Sequence, residues 1–503
     1  MFTLCLPIAC VLLLASPGPT ILGGGETVSH FDYSLDGRRL VYVAGSTATG
    51  WQLYSSRAGW ARSVVAGDPQ PTPSATSLSG PLIAGGRFWG FETRGTWVVY
   101  LAEQDTDEVR ELYAVPIDGS APPVRLNAEL APGADVTGFE VSANGARVVF
   151  LVNGAGEGLY SVPIGGGEPI VLNDALGFYG FSGASGFHVD PTSSHVVFQV
   201  LWNKSYTEYI WDTYTAPIDT AGAAVLLSSI DTGGFPPSVV ISPGGTRVLV
   251  VFDSVESFPI DGGAPPVVLL EDFSLYRITP DDHFVLAAYA PAGHPGLYRI
   301  RIDGAGSPLL LFDETTVESP LLVTPDSTRA VFPGGLDGPD LYAVPGEIQL
   351  DDEELTDIQS SMRITPDGAR VVFEASTETG VHLYSVPVNG SAAPVQLDPG
   401  LDLSPFFSFS ADGSRVVYER FVGGDPTTLW SAPVDGSAAP VLLDGAAEHE
   451  VEVNPVLAQV AWVGDDGLLF VRAIDASTPP RQVSPDFPIA AWAERALAPS
   501  VVR

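Results

Sequence analysis

Seven histidines and several clustered carboxylates are the residues of this sequence with the chemistry for metal binding or acid–base work. Metal ligation needs at least two such ligands at short spacing, and only His188 and His195 are close. They flank the turn Asp190-Pro191-Thr192-Ser193, a spacing that sets them on adjacent strands of one hairpin, and we read them as ordinary strand residues. Asp351-Asp352-Glu353-Glu354 with Asp357 is the densest acidic run, yet it lacks the alternating spacing of a calcium loop and reads as solvated linker. Glu103, Asp105, Asp107 and Glu108 read the same way. No catalytic, cofactor or metal constellation is assigned. The strongest recognition signal is aromatic. Trp202, Tyr206, Tyr209, Trp211 and Tyr214 crowd the segment WNKSYTEYIWDTY, and Gly-aromatic residues including Phe178 precede it. Aromatic faces stack on sugar rings and on cations, so Phe178, Trp202, Tyr206, Tyr209 and Trp211 form the expected ligand surface.

Two phrases recur along the chain and supply the elements that position these residues. The first is a turn leading into an apolar run: SLDGRRLVYVA at Ser34, SANGARVVFLV at Ser142, TPDGARVVFEA at Thr365, SADGSRVVYER at Ser410. The second is LYAVPIDG at Leu112, LYSVPIGG at Leu159, LYSVPVNG at Leu383 or LWSAPVDG at Leu429, closed by an apolar tail such as APVQL. Ten copies of the second phrase, the outer ones degenerate, recur from Arg57 to Ala473 at intervals of about 46 residues. Ser/Thr-Pro-Asp-Gly suits a type I turn. The RVVF run is apolar on consecutive positions, as in a strand buried on both faces. LYSV is another strand, Asp-Gly a tight turn, and the tail a fourth strand.

Four short antiparallel strands per unit describe a propeller blade. The expected fold is an all-β propeller of about ten four-stranded blades, with two smaller propellers in tandem as the alternative. Seven copies place proline inside the second phrase, which predicts a bulge or a strand end there. The Pro-rich stretch Asp68 to Pro81 is expected between the first and second blades.

These repeats resemble the TolB-type, WD-repeat-like propeller repeats of bacterial envelope proteins over roughly residues 26 to 485. Pro366-Asp367-Gly368 matches the hallmark turn in full; Pro243, Pro280-Asp281, Pro325-Asp326 and Asp412-Gly413 match in part. The resemblance implies architecture and an extracytoplasmic setting. TolB has a preceding α/β domain, whereas these repeats start near Phe31, so TolB's partners are not carried over. The chain also resembles the propeller half of serine peptidases, but it has no Gly-x-Ser-x-Gly, and twenty residues follow Val483.

Composition fixes the remaining expectations. Sixty acidic against 23 basic residues give a net charge of −37, which repels nucleic acid and anionic membranes. Residues 1–22 read as a signal peptide and 23–503 as the repeat array. Both cysteines, Cys5 and Cys10, fall in the leader, and Cys10 sits in a faint lipoprotein box. The mature chain then has no thiol and no apolar run long enough to cross a bilayer. The expected protein is a non-catalytic scaffold module that binds a protein or glycan. It would reside in the periplasm, at the outer membrane or outside the cell. The alternative is a carbohydrate-active lyase or hydrolase with its site at the mouth of the ring.

Overall fold

The computed structural model describes residues 27–484 except 47–49, 59–74, 81, 83–85, 174–185, 206–207, 233–234, 314–316, 336–339, 353–354, 379, 399–402, 423–424, 446 and 465–466. The described chain forms ten four-stranded antiparallel sheets, each built from consecutive strands. One single-turn 3-10 segment, Pro291–Gly293, is the only helix among the described residues. First strands of neighbouring blades approach one another, as do those of blades one and ten, so the first strand is innermost and the fourth lies at the rim.

Each repeat phrase does a definable job. In the turn between strands one and two, Gly145 N–H donates to Ser142 O at 2.7 Å and the glycine takes φ +67. The Ser142 hydroxyl accepts the Arg147 N–H at 2.9 Å. The same hydroxyl-to-arginine closure recurs at Ser242–Arg247, Thr365–Arg370 and Ser410–Arg415. The run that follows is the second strand, and in Arg147–Asn153 every residue from Val148 to Val152 is buried between the two adjacent blades. Its arginine then reaches the third strand. Arg147 Nε donates to Ser161 Oγ at 2.8 Å and Nη2 to Ser161 O at 3.2 Å. Arg247–Ser257, Arg370–Ser385 and Arg415–Ser431 repeat this two-point clamp. Proline of the second phrase ends the third strand, as at Pro116, Pro163, Pro387 and Pro433, so no interior ladder donor is lost.

Two sequence expectations are resolved by this geometry. The ring closes once, not as two propellers. Blade ten packs Ala461, Val463, Leu469, Val471 and Val483 against Phe31, Tyr33, Leu40 and Tyr42 of blade one. Asn454 Nδ2 donates to Gly37 O at 2.7 Å, and Arg481 Nη2 to Arg57 O at 3.1 Å. The Pro-rich stretch is placed differently from expectation. Thr76–Ser77, inside that stretch, pairs with Tyr54 and Ser55 as the fourth strand of blade one, while its residues 68–74 lie outside the described residues. A long connection moved the fourth strand away from its usual spacing.

Closure makes a specific demand on Gly37. It has φ +65, and a Cβ there would lie 2.2 Å from Asn454 Oδ1. Gly95 has φ +58 with nothing within 4 Å. Gly95→Ala should therefore cost only the left-handed backbone term, about 1–2 kcal/mol. Gly37→Ala should lower the thermal midpoint distinctly further, because it also displaces the closing asparagine. Equal losses in calorimetry would show that closure does not rest on this contact.

Candidate functional site

Two places in the ring gather groups with chemistry: an acidic arc of the central channel and the extended hairpin of blade four.

The channel is lined by innermost strands, and one register position, two residues before the turn, recurs in every blade. It holds Glu452, Asp32, Glu92, Glu140 and His188 in blades ten, one, two, three and four. Blades six and eight place Arg277 and Arg363 there. His30 and Glu450 add a second layer, with Nδ1 to Oε1 at 2.5 Å. These acids are engaged by the next blade. Glu92 Oε2 accepts the Val141 N–H at 3.1 Å, Glu140 Oε2 the Val189 N–H at 3.0 Å, and Glu450 Oε1 the Phe31 N–H at 3.3 Å. Thr93 Oγ1 of blade two donates to Asp32 Oδ2 at 3.4 Å. The remaining Glu92 oxygen pairs with Arg94 at 2.6 Å.

Crowding sets the protonation of the arc. Burial, with the charge of Glu92, pushes Glu140 up to about 7. Burial and the charges of Asp32 and Glu450 push Glu452 up to about 7, and Asp32 is raised by burial as well. Burial alone would lower His30, but the Glu450 bond and the surrounding carboxylates outweigh it and raise the imidazole. His188 is lowered by burial.

The paired histidines of the sequence do not meet. His188 lies on the innermost strand opposite Val197, whereas His195 opens the second strand opposite Pro217 and bonds Ser194 Oγ through Nδ1 at 2.8 Å. Among the described residues, no three or more His, Cys, Asp or Glu side chains are placed to hold a metal. Asp351 accepts the Leu341 N–H at 3.0 Å after the fourth strand of blade seven and is half-buried rather than solvated, while Asp352 is exposed and Glu353 and Glu354 lie outside the described residues. Glu103 is buried against the Arg87 N–H, while Asp105, Asp107 and Glu108 are exposed. Sequence reasoning missed the arc, although FDYS, FEVS, FHVD and VEVN share an acid or histidine two residues before the turn residue.

Blade four departs from the repeat. Its second and third strands, His195–Ser205 and Glu208–Pro217, have 11 and 10 residues, against at most nine elsewhere among the described residues. Trp211 is only 5% exposed, with no hydrogen-bond partner for its indole N–H. Trp202 is half-buried against the core between blades three and four. Phe178, Tyr206 and the side chain of Tyr209 lie outside the described residues. Thr213, 0% exposed, stands where neighbouring repeats have leucine, and Thr215 stands where they have the clamped serine; both hydroxyls lack partners. The antiparallel order sends this hairpin, and the connection carrying Phe235, to the same face of the ring. Phe235 is 78% exposed.

No family model matches the sequence. No curated protein matches it either. Among solved structures, a eukaryotic initiation factor is similar at 11% identity and TM-score 0.43, over 84% of this chain and 88% of that one. TolB from Acinetobacter baumannii is similar at 13% identity and TM-score 0.28, over 62% of this chain and 80% of that one. An oligogalacturonate lyase in complex with manganese is similar at 11% identity and TM-score 0.31, over 58% of this chain and 86% of that one. Likeness of this degree carries nothing about activity.

The arc predicts a pH dependence with a definite sign. Glu140 and Glu452 bind protons more tightly folded than unfolded, so their contribution to stability falls as pH rises from about 4.5 to 7. Buried Glu374, also pushed up to about 7, and raised His30 act in the same direction. Lowered His188 opposes them. Aspartates held low, such as Asp303 at about 2, are ionised throughout this range and contribute no slope. The thermal midpoint should be higher at pH 5.5 than at pH 8. Glu140→Gln with Glu452→Gln should flatten that slope, and a midpoint that rises with pH would contradict the assignment.

Proposed function

We propose that the chain is a non-catalytic extracytoplasmic propeller that binds a protein or glycan partner as a scaffold module. The observation that carries this reading is the use made of the channel acids. Glu92, Glu140 and Glu450 are spent on backbone N–H groups of neighbouring blades, and Asp32 accepts the Thr93 hydroxyl, which is structural work. The recognition surface in this reading is the blade-four hairpin face, built from Phe178, Trp202, Tyr206 and Tyr209. Trp211 is buried and anchors the hairpin, and the exposed ring of Phe235 supports the choice of face. The extracytoplasmic setting rests on the leader read in residues 1–22.

A second reading, a polysaccharide lyase or hydrolase working at the channel mouth, is favoured by one observation: two carboxyls held near 7 within an acidic arc. The field of a −37 chain repels polyuronates, the substrates a lyase needs, so of these two activities it favours a hydrolase acting on a neutral or cationic glycan.

One pair of assays separates the readings. Immobilised protein should recover a partner from the native envelope fraction or from a glycan array. The variant Trp202→Ala/Tyr206→Ala/Tyr209→Ala should lose that recovery while its second- and third-strand amides stay protected. Undiminished recovery would remove the hairpin from the reading. Release of reducing ends from a neutral polysaccharide, abolished by Glu140→Gln, would replace the scaffold reading with the enzymatic one.

A further inference from the structure

The rim of a propeller consists of open sheet edges, and this chain keeps nearly all of them short. The fourth strand has two residues in blades one, two, three, seven, eight and ten, and four or five in blades five, six and nine. Two paired residues are too few to template another strand. Blade four is the exception. Its rim strand, Val225–Asp231, runs for seven residues along the extended third strand, from Thr215↔Val225 to Ile210↔Asp231. A single register shift between Thr213 and Tyr214 leaves Ser228 to Asp231 in regular pairing. Among the described residues no strand pairs with its outer side.

Two of the usual guards of a long edge, proline and lysine, are missing from VLLSSID; the bulge at Leu227 leaves Ser228 to Asp231 regular, and Val225 and Leu226 are 40% and 50% exposed. We propose that this edge accepts an extended, positively charged polypeptide segment as a fifth strand of blade four, a deepening that rests on the scaffold reading above. The unpaired backbone groups of an edge demand another backbone, and main-chain bonds supply most of the affinity in strand addition. Charge selects the occupant. No lysine or arginine occurs between Lys204 and Arg247, while exposed Asp219 precedes the strand and exposed Asp231 ends it. A second copy would bring the same −37 field to the edge and is repelled, whereas a lysine-bearing strand is drawn to it.

The test uses the full chain and a short fluorescein-labelled peptide alternating lysine with valine and threonine. Two comparators are the same peptide N-methylated at alternate residues and a version with glutamate for lysine. Anisotropy should report saturable binding of the lysine peptide that weakens with salt. N-methylation should weaken it at least about tenfold, one lost hydrogen bond or more. Amide exchange should slow at residues 225–231 when the peptide binds. The Trp202→Ala/Tyr206→Ala/Tyr209→Ala variant keeps the edge and should still bind, so failure of the hairpin surface and failure of this edge are read separately. The proposal is overturned if exchange at residues 225–231 does not change, if the N-methylated or acidic peptide binds as well, or if the protein alone sediments as a dimer with that edge already protected.

Discussion

The innermost strand of every blade is a sheet edge facing a channel, and its outward N–H groups must find acceptors there. That constraint organises the molecule. Neighbouring rim strands diverge, but neighbouring innermost strands come close enough for a side chain of one blade to reach the backbone of the next. Carboxylates do this from blades ten, two and three, and they bind an N–H more strongly than a neutral acceptor would. An acidic arc follows as a by-product. So do its raised protonation equilibria, because burial at the seams disfavours the charged form and acids of one seam also repel those of the adjoining seam.

Packing extends the same logic outward. A blade buries both faces only if it has two neighbours, so an open array would leave two apolar faces wet, and closure of blade ten on blade one removes both. Several turn glycines lie against the preceding blade, as Gly413 does against Pro366 and Gly245 against Asp190 and Thr192, which keeps those blades in step. Blade four breaks step most visibly. His195 replaces the clamping arginine and Thr213 the core leucine, and this same blade carries the long hairpin and the long rim strand.

Much of this was legible in the residues. Ser-x-Asp-Gly turns, consecutive apolar runs and terminal prolines specify local structure by themselves, so blade number, strand order and the proline strand ends followed from the sequence. The arginine clamp was visible only as two residues that recur together, Arg147 with Ser161 and Arg370 with Ser385, since nothing local says that they touch. The channel acids were harder. Innermost strands are the least regular in sequence, and Asp32, Glu92, Glu140 and Glu452 acquire a shared environment only when the ring closes. The rim of blade four escaped notice for another reason: VLLSSID reads as an ordinary apolar tail until the length of its partner strand is known.

The claim that the channel acids serve the neighbouring backbone is tested most directly by site-resolved amide exchange at Val141 and Val189. Both amides lie on innermost strands and should exchange slowly in the native protein. Glu92→Ala should speed exchange at Val141, and Glu140→Ala at Val189, each by about ten- to a hundredfold, the loss expected for a hydrogen bond to a charged acceptor. Each effect should be confined to its own site. Exchange at both amides that is unaltered by removing either acid would contradict the account and return these carboxylates to the enzymatic reading.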